Sequence, residues 1–136
     1  MTRLRNYHQL WDREDIKCCP IDTTFRLVGK KFTILIIREM MRDKTRFNQF
    51  LDSIEGINPK ILSARLKEME KSGLIRRKVH STETPVRIGC FLTERGSALK
   101  SIVNKMAVFS MRHCAKEVFK DRKPRTLKRD LVSTLQ

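Results

Sequence analysis

Residues 58–73 read NPKILSARLKEMEKSG, and this stretch decides the interpretation of the whole chain. Asn58 is a favourable N-cap, Pro59 suits the first helical position, and Gly73 favours the end of a helix. The side expected to face a core consists of Ile61, Leu62, Leu66 and Met69. The opposite side carries Lys60, Ser63, Lys67 and Glu70, with Ala64 and Arg65 flanking it. The stretch therefore predicts an amphipathic helix with a polar, cationic outer side.

Three helices are predicted before this stretch. The first covers TTFRLVG, with Asp22 or Thr23 as its cap and Gly29 ending it in a left-handed conformation. The second, in KKFTILIIREMMRDK, has apolar residues on most sides and is expected to be the central core helix. Thr45 is the expected N-cap of the third, RFNQFLDSI, and Gly56 permits the sharp turn after it. The inner side of this third helix is expected to comprise Phe47, Phe50, Leu51 and Ile54.

A β-hairpin is predicted after residue 73. The segments LIRRKVH and VRIGCFL are rich in β-forming residues, and STETP between them is typical of an exposed turn. Arg87 is expected on the outer face, whereas Arg77 alternates with Ile75 and Val79 on the inner one. Two interpretations of Arg77 therefore stay open, a contact with a binding partner and an internal ion pair. The inner face of the second strand is expected to carry Ile88, Cys90 and Leu92.

A long helix is predicted at residues 94–119, capped by Thr93. Its apolar residues follow a 3-4-3-4 spacing and form a stripe longer than a small core needs. The stripe suggests a surface that a partner covers, and the alternative is a helix folded back on its own core. The residues of the stripe are Leu99, Ile102, Met106, Phe109 and His113.

The charge of the chain indicates a polyanionic partner. Its 136 residues include 30 Lys plus Arg against 15 Asp plus Glu, a formal net charge of +15. Nucleic acid is the commonest partner of such a protein. No stretch approaches the roughly 20 apolar residues of a membrane helix, and the first residues lack the apolar core of a signal peptide. A cytoplasmic, nucleoid-associated location without membrane contact is expected, with the four cysteines reduced.

No cofactor, metal or catalytic site is predicted. The chain has no phosphate-binding loop and no nucleophile elbow, and its three histidines lack recognisable partners. The pairs Cys18–Cys19 and His113–Cys114 supply four candidate metal ligands. The residues of each pair are adjacent, however, which is unlike the usual Cys-x-x-Cys spacing of metal ligands. A thiol redox enzyme is kept only as a third hypothesis, which turnover with a dithiol reductant would support.

The order of helix, short helix, sharp turn, capped helix and hairpin predicts a winged helix-turn-helix, mainly α with a small β-hairpin. In this fold the second helix of the turn unit enters the DNA major groove, and the wing reaches the backbone or the minor groove. The opposing interpretation of residues 58–73 is a solvated helix face. The predicted DNA-binding residues are Arg46, Asn58, Lys60, Ser63, Arg65, Lys67, Arg77, Lys78 and Arg87.

The same residues resemble the HxlR-type transcriptional regulators, small winged-helix proteins related to the MarR group. The resemblance runs from about residue 19 to residue 96, and it departs from the family pattern at Phe32 and Cys90, where Trp and Tyr are usual. The motifs that carry it are Cys19-Pro20, Gly29 with Lys31, Arg46-Phe47, Ile57, Leu62-Ser63 with Arg65-Leu66, Gly73-Leu74-Ile75, Pro85 with Arg87, and Leu92-Thr93 with Gly96.

The resemblance implies a homodimer, joined by N-terminal and C-terminal helices, that binds a two-fold-symmetric operator in double-stranded DNA. The single domain then divides into an N-terminal dimerisation arm (1–20), the winged helix-turn-helix (21–93), a C-terminal dimerisation helix (94–119) and a basic tail (120–136). Leu10 and Trp11 of the arm join the C-terminal stripe as expected interface residues.

The resemblance also suggests a thiol sensor. Several members of the family sense quinones, aldehydes or oxidants through a cysteine beside the proline that starts the first helix, which here is Cys19 next to Cys18. A helix N-terminus and basic neighbours such as Lys17 favour the reactive thiolate. The expected effector is a small electrophile or oxidant. The opposing interpretation is an inert cysteine.

The leading hypothesis is a sequence-specific transcriptional regulator of the HxlR type. The alternative is a non-specific architectural DNA- or RNA-binding basic protein, for which charge alone would suffice. In competition at rising salt, a regulator keeps a preference of order 10³ or more for its operator over random DNA, whereas an architectural protein loses both complexes together.

Overall fold

The computed structural model describes residues 15–82 and 84–125, which contain several helices and one two-stranded antiparallel sheet. In chain order the elements are α1 (Pro20–Val28), α2 (Thr33–Met40), α3 (Phe47–Ser53), α4 (Pro59–Lys71), β1 (Ile75–His80), β2 (Arg87–Leu92), α5 (Glu94–Ser97), α6 (Lys100–His113) and α7 (Ala115–Val118). This order confirms the predicted winged helix-turn-helix, in which α3 and α4 form the turn unit and β1–β2 the wing. No helix of this described part is long and apolar enough to cross a membrane.

The first helix begins earlier than predicted. Pro20 occupies the first helical position and Cys19 is the N-cap, so the expected caps Asp22 and Thr23 lie inside α1. The helix is continuous there because the Thr23 N–H donates to the Cys19 carbonyl at 3.0 Å. Gly29 keeps a right-handed conformation with φ −76°, so its predicted left-handed role was wrong.

The second and third helices lie where they were predicted but begin differently. Phe32 adopts a left-handed conformation with φ 77° and separates α2 from the preceding turn. The N-cap of α3 is Arg46 rather than Thr45. Gln49 explains the shift, because its Oε1 accepts the N–H groups of both Thr45 and Arg46 at 3.0 Å. Phe47 is 37% exposed, so its assignment to the inner side was wrong.

The central core confirms the predicted role of α2. Ile36 and Ile37 of this helix are completely buried and pack with apolar residues from the turn unit and the wing. Their buried partners are Phe32, Met40, Phe50, Ile54, Leu62, Leu66, Met69, Leu74, Ile75, Cys90, Leu99 and Val103. Because α4 contributes Leu62, Leu66 and Met69 to this cluster, its opposite side is turned away from the core.

The wing is a regular hairpin whose inner face is buried only at its base. Ile75 pairs with Leu92 and Arg77 with Cys90, while Val79 pairs with Ile88 nearer the tip. Ile75 and Cys90 are buried, but Val79 and Ile88 are exposed because the tip extends past the core. The Cys90 N–H also donates to the Thr45 carbonyl at 2.8 Å, which attaches β2 to the start of α3.

The predicted long C-terminal helix is interrupted twice. Thr93 caps its first segment as predicted, since its Oγ1 accepts the Gly96 N–H at 3.1 Å. A first break follows because the Leu99 N–H donates to the Gly96 carbonyl, only three residues back, at 3.1 Å. A second occurs at Cys114, whose φ −122° and ψ 35° are not helical.

The residues of the predicted dimer surface differ in their burial. Leu99 is 7% exposed and belongs to the core of its own chain, so its assignment to the interface was wrong. Ile102, Met106 and Phe109 are exposed, as an interface requires. Leu10, Trp11 and the tail beyond residue 125 lie outside the described residues. The division of the chain into arm, winged unit, C-terminal helix and tail remains a prediction.

Candidate nucleic-acid interface

Both ends of α4 are fixed by hydrogen bonds. Asn58 Oδ1 accepts the Ile61 N–H at 2.8 Å, which confirms the predicted cap and commits this oxygen to the helix. At the other end Gly73 has φ 77°, and the Leu74 N–H donates to the Met69 carbonyl at 2.9 Å. The Gly73 N–H donates to the Glu70 carbonyl at 3.0 Å, which completes a Schellman motif. The helix is therefore presented as a rigid unit.

The outer side of α4 carries the predicted polar and cationic residues. Lys60, Ala64 and Lys67 are exposed and Ser63 is partly exposed. Lys60, Ser63 and Lys67 follow each other at spacings of three and four, which places them along one face of the helix. Ala64, beside Ser63, has a small side chain and therefore allows a large ligand to approach this face of the helix closely. Lysine and serine side chains on one face of a helix are of the types that can bond base edges in a major groove.

Arg65 has a different position from the one predicted. Its Nε donates to the Lys31 carbonyl at 2.9 Å, and its Nη1 lies 3.5 Å from Glu68 Oε2. Only 20% of its side chain is exposed. Lys30 reaches the other oxygen of Glu68 at 2.8 Å. Arg65 therefore holds α4 against the turn before α2, and its guanidinium is engaged in packing.

The charges of this contact are mutually stabilised. The hydrogen bond from Lys30 and the positive charges of Lys30 and Arg65 hold the pKa of Glu68 below its usual value, against the opposing effect of partial burial. The ionised form of Glu68 is therefore favoured in the folded chain. Because the pair Lys30–Glu68 is exposed, it orients the helix more than it stabilises the fold.

The two faces of the wing differ in charge. Residues directly opposite each other in an antiparallel pair share a face, so His80 and Arg87 lie together with Lys78 and Arg76. The His80 ring also contacts Phe91 edge-on, with centroids 6.5 Å apart. The outer face of the wing is therefore basic, and it contains the predicted DNA contacts Lys78 and Arg87.

Arg77 lies on the other face and forms an ion pair. Its Nε is 3.0 Å from Glu70 Oε2 of α4. The internal ion pair is thus the interpretation that the structure supports for this residue. Burial raises the pKa of the neighbouring Cys90 thiol, an effect that outweighs the nearby charge of Arg77. Cys90 is therefore a protonated, packed cysteine and no candidate for a sensor.

Sequence reasoning missed a buried acidic group with three cations around it, which we call the Glu39 cluster: Glu39, Arg38, Arg42 and Lys44. The Glu39 carboxylate is completely buried and lies 2.8 Å from Arg38 Nη2, 3.6 Å from Arg42 Nη1 and 2.7 Å from Lys44 Nζ. Burial alone would raise the pKa of Glu39, but the hydrogen bonds and charges of Lys44 and Arg38 lower it below its usual value. The available signal was the charge-rich sequence REMMRDK at the end of an apolar helix.

The candidate thiol residues lie at the start of α1. Cys18 and Cys19 are both exposed, and Cys19 precedes Pro20 as the N-cap. A groove of about 610 Å³ lies between α1 and α6, and Pro20 is one of its lining residues. Its walls include Ile21, Phe25, Ile102 and Met106. Among residues 15–82 and 84–125, no three His, Cys, Asp or Glu side chains are close enough to hold a metal ion.

Comparison with known proteins identifies the family. The family model described as HxlR-like helix-turn-helix matches residues 27–118 of this chain. The HTH-type transcriptional regulator YodB of Bacillus subtilis (strain 168) is 35% identical over 97 residues, which cover 71% of this chain and 86% of YodB. An HTH-type regulator of Synechocystis sp., sll1512, is 35% identical over 88 residues, covering 65% of this chain and 64% of that protein.

Solved structures agree with this assignment. The reduced form of YodB from B. subtilis superposes with a TM-score of 0.62 at 36% identity, covering 71% of this chain and 95% of that one. The redox regulator HypR in its oxidised form gives a TM-score of 0.63 at 30% identity, covering 68% of this chain and 94% of HypR. These relatives are transcriptional regulators and not enzymes. With its exposed cationic helix and basic wing, the chain belongs to the HxlR-like helix-turn-helix family of transcriptional regulators.

Proposed function

We propose that the chain binds a two-fold-symmetric operator as a homodimer, with α4 of each protomer in the major groove. The observation that carries the proposal is the rigidly capped α4, whose outer side presents Lys60, Ser63 and Lys67 next to the basic face of the wing. Lysine and serine bond base edges or phosphates, and Ala64 can contact a thymine methyl group. Lys78 and Arg87 hold the backbone or the minor groove. Such a protein would spend most of its time on the nucleoid.

The exposed apolar surface at the C-terminal end supports the homodimer. Ile102, Met106 and Phe109 recur along α6, and Phe25 of α1 faces the same groove. A contiguous apolar surface of this kind is typical of a covered interface. Two-fold symmetry then places the two α4 helices on successive turns of the major groove, about 34 Å apart.

The test of DNA recognition begins with the full-length protein and a pool of random duplexes. Bound duplexes are enriched, and the best one is compared with a scrambled duplex of equal composition in competition at increasing salt. We expect a preference of order 10³ for the selected sequence, which persists as salt weakens both complexes. Equal affinity for both duplexes would support an architectural protein instead.

We further propose that Cys19 makes the regulator responsive to a small electrophile or oxidant. The thiol is exposed at the N-cap of α1, next to Pro20, which lines the apolar groove, so an apolar electrophile could bind near it. Modification there would change the packing of α1, whose following turn contacts α4 through Lys30 and Lys31. The names of HypR as a redox regulator and of YodB in its reduced form are consistent with such a response.

A further inference from the structure

The Glu39 cluster contains more positive charge than one buried carboxylate requires. Three cations lie within 4 Å of its two oxygens, at 2.8, 3.6 and 2.7 Å. One ion pair would be enough to neutralise the negative charge of Glu39. Each further cation is repelled by the cations already present, because all of them lie within a few ångströms of the same carboxylate. Three positive charges against one negative charge leave the cluster with a net positive charge. Arg42 is the most exposed of the three, at 66% of its side chain, and extends from the cluster to the surface.

The cluster lies at the junction of the helix-turn-helix and the wing. Lys44 is followed by Thr45, whose carbonyl accepts the Cys90 N–H of β2 at 2.8 Å. The next residue, Arg46, is exposed at the N-cap of α3. The cations Arg42, Lys44 and Arg46 therefore follow one another from the end of α2 to the N-cap of α3, with the exposed Asp43 between the first two. Arg46 is already among the DNA-binding residues predicted from the sequence, whereas Arg42 and Lys44 are not, and all three lie outside α4 and the wing.

We propose that Arg42, Lys44 and Arg46 bind backbone phosphates of duplex DNA, and that the buried Glu39 is a positioning residue for Arg42 and Lys44. The proposal rests on the DNA-binding function proposed above. Arginine and lysine are the side chains that bind phosphate by charge-assisted hydrogen bonds. A cation held in place by Glu39 loses less conformational freedom on binding than a free surface lysine does.

A purely structural role for the cluster makes a different prediction. Cations near the C-terminus of α2 also stabilise the helix dipole, and for that purpose their contact with DNA is irrelevant. Arg42→Ala and Lys44→Ala would then lower the stability of the fold and leave DNA binding by the folded protein unchanged. The two roles are separated by measuring both quantities on the same variants.

Phosphate contacts are independent of sequence, so a mixed-sequence duplex is a sufficient probe. Binding to the full-length protein is measured by fluorescence anisotropy at several salt concentrations. For Arg42→Ala and Lys44→Ala we expect a slope of log K against log salt that is smaller by about 0.9 for each phosphate that the variant no longer neutralises. Lys116→Ala is the matched control, because it removes one exposed positive charge from α7, far along the chain from the cluster.

Equal slopes for Arg42→Ala, Lys44→Ala and Lys116→Ala, with the parent bound to DNA, would overturn the phosphate site alone. A parent that does not bind duplex DNA would overturn the proposed function as well. Glu39→Gln adds a further test, because it raises the net charge by one. A positioning role predicts weaker DNA binding despite this added charge, whereas tighter binding would show that Glu39 positions nothing. Thermal unfolding of each variant verifies that the measured protein is folded.

Discussion

The exposed ring of Phe109 gives a quantitative test of the homodimer. Phe109 is 60% exposed in the single chain, so a dimer interface can bury the larger part of it. Complete burial of a phenylalanine side chain contributes about 1.5–3 kcal/mol, so the buried fraction here is worth about 1–2 kcal/mol. In a two-fold dimer the residue occurs twice, and Phe109→Ala should weaken association by about 2–4 kcal/mol, or about 30- to 1,000-fold in Kd.

The assay is sedimentation equilibrium of the full-length protein over a range of concentrations. Because most of the Phe109 side chain is exposed in the single chain, its replacement should change the free energy of unfolding of the monomer by no more than about 0.5 kcal/mol. Ile88→Ala is the control, since it removes a similarly exposed apolar side chain from the wing. An unchanged dimer Kd for Phe109→Ala, in a folded protein, would refute the proposed use of the α6 surface.

Three further predictions concern single residues. Asn58→Ala should lower the free energy of unfolding by about 1 kcal/mol in denaturant titrations, because it removes the cap bond to Ile61, and Asn58→Asp should retain most of that stability. The pKa of Glu39 is lower in the folded than in the unfolded chain. Ionised Glu39 therefore stabilises the fold near neutral pH. This contribution is lost as the pH falls from about 4.3, the usual pKa of a glutamate, through the lower pKa of the folded state. Glu39→Gln should therefore reduce the acid dependence of unfolding, and an unchanged pH profile would contradict this assignment. Cys19→Ser should abolish the release of DNA that an electrophile or oxidant causes, whereas the control Cys90→Ser should respond like the parent. A Cys19→Ser protein that still releases DNA would contradict the sensor hypothesis.

The predictable part of the fold follows from local chemistry. Asn58, Pro59 and Gly73 specify the ends of α4 by cap and backbone preferences that need no distant partner. The apolar spacing of residues 32–41 likewise placed α2 at the centre of the core. The resemblance of the motifs to the HxlR type added the family, which the comparisons confirm.

The parts that failed depend on tertiary contacts. The prediction of one continuous helix over residues 94–119 was wrong, because the helix is interrupted where Leu99 packs into the core and again at Cys114. Arg65 was predicted to face the DNA groove. Its actual partner is the Lys31 carbonyl, which lies 34 positions away in the chain and therefore cannot be predicted from the local sequence. The Glu39 cluster was missed because a buried carboxylate cannot be distinguished from an exposed one in a charged segment. Long-range hydrogen bonds and burial decide these cases, and local patterns do not contain them.

The most direct test of base reading by α4 is the ratio of affinities for the selected and the scrambled duplex. A Ser63→Ala/Lys67→Ala double variant removes two side chains from the outer side of α4, and each base contact contributes about 1–3 kcal/mol of discrimination. We predict that this variant lowers the ratio at least about tenfold, while Arg87→Ala in the wing weakens both complexes alike. An unchanged ratio in the double variant, with both duplexes weakened equally, would contradict the placement of α4 as the helix that reads bases.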